Sequence, residues 1–206
     1  MSTKITAKIL FKLAALVLST FLFTHSAYSA SSNRYKVEVL IFTHITANAY
    51  QSQVWPADPG TPSLQKAILL GPVGNNMSQI YQLLPSNNFS LNHAAQALAS
   101  QPNFKIILHQ AWIQPLSSHP QFIYLVGGTE YTTNSYQLIG TLGLSVTNYI
   151  NVKADFLLTE PRSTLPTQEK SDFQGFRLVQ VQRMRNNEVH YYDNPLFGML
   201  IKVTRV

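Results

Sequence analysis

Alternation of apolar and polar positions, the period of strands whose side chains point to opposite faces, recurs along the chain. Residues 35–42 place Tyr35, Val37, Val39 and Ile41 on one face, and Leu40 and Phe42 make the other face apolar too, the pattern of a strand inside a sheet. Residues 105–113 form a second strand, bounded by Pro115, with His109 on the face of Ile107, Ala111 and Ile113. A histidine on an apolar face is normally a satisfied core residue. Residues 122–126 are a short strand followed by a turn at Gly127-Gly128. In 138–146, Leu138, Leu142, Leu144 and Val146 share one face, with Thr141, Ser145 and Thr147 on the other. The chain turns at 148–151, and 152–158 returns with Val152, Ala154, Phe156 and Leu158 inward. A polar loop at 161–172 precedes a strand from 176 to 185, and a last strand covers 199–204.

The helical period is clearest at 90–100, where Ser90 is an N-cap candidate and Leu91, Ala94, Ala95 and Leu98 make one apolar stripe. Residues 63–70 and 77–84 read as short helices, the second ended by Pro85. Residues 43–62 read as a loop whose Trp55 covers the core. The fold class expected is α+β: an antiparallel β-sheet, with a C-terminal meander from 138 to 206 and one or more helices packed against it.

Residues 180–198 are the densest polar stretch, with two arginines, a glutamate, a histidine, two tyrosines and an aspartate. Asn186-Asn187 separates two alternating runs, and asparagine tolerates the positive φ of a two-residue hairpin turn. That turn would set Arg185 opposite Glu188, Met184 opposite Val189, Arg183 opposite His190 and Val181 opposite Tyr192. Arg185, Glu188, Arg183, His190, Val181 and Tyr192 would then share one side, and Met184 and Val189 would face the core. Pro195 stops the strand, and Gly198 lets the chain turn into the last one. The arrangement reads either as a solvated hairpin with a cross-strand ion pair or as a site for a ligand bearing carboxylates or sugars, since arginine forks suit carboxylates and tyrosine faces suit sugar rings.

Composition changes this picture at the N-terminus. Lys4, Lys8 and Lys12 precede an apolar run at 13–23, and Ala27-Tyr28-Ser29 supplies small residues at the cleavage positions. Residues 1–29 therefore read as a secretory signal peptide, leaving a single domain at 30–206 and no membrane span after cleavage. The segment carries three lysines and no acids, so its removal lowers the net charge from +6 to +3, too little to imply nucleic acid. With no cysteine there is neither a disulfide nor a lipid attached at a cysteine. An exported chain of this kind fits the periplasm. No Gly-x-Ser-x-Gly or His-Glu-x-x-His occurs and there is no cysteine nucleophile. No catalytic residue, cofactor or metal is expected; His190 and Asp193 alone are a weak metal signal.

Three stretches carry a resemblance to a known family. They are Tyr35-Lys36-Val37-Glu38-Val39-Leu40-Ile41-Phe42, then Leu108-His109-Gln110-Ala111-Trp112-Ile113-Gln114-Pro115, then Arg183-Met184-Arg185 with Glu188-Val189-His190-Tyr191-Tyr192-Asp193-Asn194-Pro195-Leu196-Phe197-Gly198. A weaker match joins Leu138-Ile139-Gly140 to Tyr149-Ile150-Asn151-Val152. In this order they resemble the CsiV family of periplasmic peptidoglycan-binding proteins of gammaproteobacteria. The chain departs from the pattern at Asn151 and Asn194, where the family has histidines, and at Gln182, where it has arginine. The resemblance implies a non-enzymatic protein that binds peptidoglycan. It also implies promotion of cell-wall synthesis through an outer-membrane lipoprotein activator of a bifunctional penicillin-binding protein. The contact residues it implies are Trp112 and Gln114, and Arg183, Arg185, His190, Tyr191, Asp193 and Phe197. The alternatives are an envelope assembly protein that binds only protein partners and, less favoured, a wall hydrolase.

Overall fold

The computed structural model describes residues 33–70, 80–167 and 172–206. The expected signal peptide lies outside the described residues, as do parts of the expected helix at 77–84 and of the loop at 161–172. Strands dominate: β1 (Arg34–Thr43), β2 (Ala67–Leu69), β3 (Gln82–Leu83), β4 (Lys105–Pro115), β5 (Gln121–Thr132), β6 (Ser135–Val146), β7 (Ile150–Pro161), β8 (Phe173–Met184), β9 (Val189–Asn194) and β10 (Phe197–Arg205). Two short helices accompany them, α1 (Ala47–Gln51) and α2 (Asn92–Ala99). The class is α+β, mostly β. The strands form two five-stranded sheets, ordered β3-β4-β1-β10-β9 and β2-β5-β6-β7-β8. Every pairing is antiparallel except β2 with β5.

The inner faces of both sheets make one core. Val37, Val39 and Ile41 of β1 and Ile201 and Val203 of β10 meet Leu142 and Leu144 of β6, Val152, Ala154, Phe156 and Leu158 of β7, and Phe176 of β8. The inward set expected for residues 152–158, Val152, Ala154, Phe156 and Leu158, lies in this core, and the faces expected to be shared in β1 and β6 point into it. Trp55 closes one end, packed edge-on to Phe176 with ring centroids 4.8 Å apart. Its loop also holds α1, unforeseen from the sequence, whose Thr46 side chain accepts the Ala49 N–H at 3.1 Å.

Helix α2 covers the outer face of the first sheet, and its apolar stripe is the expected one. Its cap is not. The cap position is Leu91, and the capping oxygens come from Glu38 on β1, which accepts the Ser90 N–H at 2.6 Å and the Leu91 N–H at 2.7 Å. His109 Nε2 lies 3.0 Å from the same carboxylate and Lys36 Nζ 3.5 Å. Glu38 and His109, from two of the stretches that carry the family resemblance, thus meet beside the start of the helix, and His109 is the satisfied residue expected. Burial alone would raise the Glu38 carboxyl. The Leu91 and Ser90 amides, His109 and Lys36 together outweigh it and hold the group below the usual carboxylate value.

Several expectations need correction. The sequence predicts helices at 63–70 and 77–84, but Ala67–Leu69 and Gln82–Leu83 are strands that gain their partners from β5 and β4. Gly127-Gly128 is no turn: β5 runs through it to Thr132 with a shift in register, and Gly128 takes φ +74° with the Gln137 side chain against it. Ile107 leaves the face of His109, because a bulge interrupts the β1–β4 register there and turns Ile107 into the core.

Gln137 joins the irregularity of β5 at Gly128 to a buried acid. Its amide accepts the Thr129 N–H at 3.1 Å and donates to Glu160 Oε1 at 2.6 Å. Burial raises the Glu160 carboxyl above its usual value. A raised carboxyl destabilises the fold once ionised and costs nothing when protonated in both states. Glu160→Gln is therefore expected to stabilise the protein near pH 7, with the gain shrinking as pH falls toward the ordinary carboxylate value. Denaturant midpoints across pH check this, and a gain that persists unchanged in acid contradicts it.

Candidate functional site

The polar stretch 180–198 is not a hairpin. β8 ends the second sheet beside β7, while β9 pairs only with β10 in the first. A type I′ turn needs positive φ at both central residues, and only Asn187 has it, at 66°. The two strands therefore splay, and the chain crosses from one sheet to the other between Met184 and Val189. The asparagines hold the crossing against β10: Asn187 N–H donates to Val203 O at 2.8 Å, and Asn186 Oδ1 accepts the Arg205 N–H at 2.7 Å.

The expected pairing of Val181 with Tyr192 fails, since Val181 is exposed and Tyr192 fully buried. Met184 faces the core as expected, but Val189 is half exposed. Side chains bridge the edges that a ladder would have joined. Gln182 Nε2 donates to Tyr191 O at 3.2 Å, Gln180 Oε1 accepts the Asp193 N–H at 3.3 Å, and Asn194 Nδ2 donates to Arg177 O at 3.2 Å. Gln182 and Asn194, two of the departures from the family pattern, are thus seam residues.

Splaying divides the residues singled out from the sequence into three places. Arg183, Arg185 and His190 stay together, around a groove at the end of the sandwich with Met184, Glu188 and Tyr149. Arg185 Nη1 lies 3.9 Å from Glu188 Oε1, and His190 Nε2 lies 3.5 Å from Glu188 Oε2. Arg183 has no ion-pair partner among the described residues. Tyr149, on the turn between β6 and β7, is 46% exposed and offers a ring beside both arginines. It belonged to the weakest sequence match, and only the fold brings it to the arginines.

Tyr191 and Asp193 project from the outer face of the first sheet. Tyr191 O–H donates to Asp193 Oδ1 at 2.7 Å, and the Tyr191 ring lies parallel to Phe42 with centroids 6.3 Å apart. Gly198 sits inside β10, opposite Phe42 and Asp193, rather than at a turn. A Cβ there would lie 2.5 Å from the Tyr191 ring, so glycine is what lets the ring lie across the strand. His44 stacks nearby on Phe104 at 5.7 Å. Burial lowers the His44 imidazole, partly opposed by the Asp193 charge.

Trp112, Gln114 and Phe197 are fully buried. Trp112 Nε1 donates to Gln114 Oε1 at 2.6 Å, so the indole N–H and the amide oxygen satisfy each other inside the core. Side chains with no exposed surface cannot meet a polymer without opening the fold.

Among the described residues no helix is long and apolar enough to cross a membrane, and no three metal-ligating side chains gather. His190 faces Gln182 across the seam, at 3.3 Å from Nδ1 to Oε1, while Asp193 points to the outer face. Nothing matches among curated proteins or solved structures. A family model does match, over residues 9–206: CsiV, described as a peptidoglycan-binding protein. The chain belongs to the CsiV family of peptidoglycan-binding proteins.

Proposed function

We propose that this chain is exported to the periplasm, binds peptidoglycan without cleaving it, and does so through the groove at the end of the sandwich. One observation carries the placement: Arg183, Arg185, His190 and Tyr149 converge on a single groove although they come from three separate segments. Peptidoglycan presents stem-peptide carboxylates beside sugar rings. Guanidinium forks take the first, and an exposed aromatic ring packs on the second. Arg183 is supported as the principal anion contact because no carboxylate among the described residues pairs with it. By the family resemblance, wall binding would serve cell-wall synthesis through an outer-membrane lipoprotein activator of a bifunctional penicillin-binding protein.

A second reading, contact with protein alone, is favoured by Phe173, Val179 and Val181 on the edge strand β8, which are 47%, 59% and 65% exposed. An exposed apolar edge is a docking surface for protein rather than for a glycan.

Co-sedimentation with purified sacculi tests the proposal. The mature protein is expected to pellet with sacculi and to release no soluble fragments from labelled ones. A protein that stays in the supernatant favours the protein-only reading, and released fragments make it an enzyme.

A further inference from the structure

The end groove has two arms of different chemistry that meet at Tyr149, Met184 and Arg185. One arm, a cavity of about 470 Å³, is lined by Tyr35, Thr147, Asn148 and Asn186, which carry hydroxyls and amides and no charge. The other, about 380 Å³, holds Arg183, Glu188 and His190. Both volumes fall in the range of small-ligand sites. Uncharged amides and hydroxyls hydrogen-bond sugar hydroxyls and N-acetyl groups. An arginine without a partner beside an imidazole is the place for a carboxylate.

Resting on the reading of this groove as the wall site, we infer that it recognises the junction where the stem peptide leaves the sugar. The sugar lies in the arm of Asn148 and Tyr35, and a stem-peptide carboxylate lies on Arg183. Tyr149 and Arg185 stand between them. Glu188 is part of the selection. It holds Arg185 and His190 at 3.9 Å and 3.5 Å, so among the described residues Arg183 is left as the one guanidinium of the arm without a carboxylate. A ligand that fills both arms places its second half at high local concentration once the first is bound, so the joined molecule outbinds either half.

Titration calorimetry on the full mature chain with three probes tests this. The probes are the disaccharide-tetrapeptide released from sacculi by a muramidase, the same tetrapeptide freed by an amidase, and the peptide-stripped glycan. The disaccharide-tetrapeptide is expected to bind at least about tenfold more tightly than either half. Arg183→Ala is expected to weaken the disaccharide-tetrapeptide about tenfold and to abolish tetrapeptide binding, with a far smaller effect on glycan. Asn148→Ala, an exposed turn residue whose loss the fold tolerates, is expected to do the reverse. Equal affinity for all three probes, or equal losses toward glycan and tetrapeptide in Arg183→Ala, would overturn the two-arm reading. Binding to whole sacculi with no binding to any fragment would overturn it too and leave the wall site standing. Failure on sacculi and fragments alike would remove both.

Discussion

Trp112→Ala is expected to destabilise the protein by about 4 kcal/mol, lowering its melting temperature by about 10 °C. Trp112 has no exposed surface and lies in the core between the sheets, in register with Val37 on β1 and Leu83 on β3. Its removal leaves a cavity the size of an indole with strands on both sides, and sheets joined by ladders cannot collapse into it. The change also strands Gln114, whose Oε1 has the indole N–H as its donor and whose Nε2 has no partner among the described residues. Trp112→Phe keeps most of the ring area and loses only the donor, so about 1–2 kcal/mol is expected. Thermal and denaturant melts of the two variants measure this. A ligand platform would behave in the opposite way: Trp112→Ala would weaken wall binding and leave the melting temperature almost unchanged, and that result would refute the core assignment.

Glu38→Ala is expected to cost about 3 kcal/mol at neutral pH. The side chain is 1% exposed and accepts from two backbone amides and His109, with Lys36 beside it. Truncation leaves the Ser90 and Leu91 amides that lead into α2 without their acceptor and a partly buried histidine without its partner. The pH dependence has a definite sign. A carboxyl held below its ordinary value in the fold stabilises fully above that ordinary value and loses this contribution as pH falls through the depressed one. The gap between wild type and Glu38→Ala is therefore wide near pH 7 and narrows below about pH 4. Glu160 has the opposite slope, because burial raises it and Gln137 alone among the described residues donates to it. Denaturation at a series of pH values separates the two acids. A gap for Glu38→Ala that widens in acid would contradict the capping role.

These two acids illustrate what the sequence could reveal. Alternation in β1, β6 and β7 grouped the core residues correctly, because strands buried between two sheets leave a strong period-two signal. The stripe of α2 was equally plain. Its cap was not, since the capping oxygens belong to Glu38, 52 residues away from Ser90. The strands β2 and β3 are three and two residues long, too short for any period, and exist because β5 and β4 offer them partners. The polar stretch reads as one hairpin because Asn186-Asn187 resembles a two-residue turn. One positive φ instead of two sends β9 to the other sheet. That single difference moves Tyr191 and Asp193 to an outer face and leaves Arg183, Arg185 and His190 together. Tyr149 enters the groove only because β7 and β8 pair from Ile150 opposite Met184 onward, a contact across 34 residues of chain that no local pattern encodes.

The central claim is that the arginine groove holds peptidoglycan, and co-sedimentation of the mature protein with purified sacculi tests it most directly, wild type against Arg183→Ala with Arg185→Ala. Both side chains are exposed at the end of the sandwich, and the sole ion pair lost among the described residues is the 3.9 Å contact of Arg185 with Glu188. The double variant should therefore melt within about 1 kcal/mol of wild type. The expected result is a folded double variant that remains in the supernatant under conditions that pellet the wild type. A folded double variant that pellets as well as the wild type would contradict the claim and place the wall contact elsewhere on the molecule.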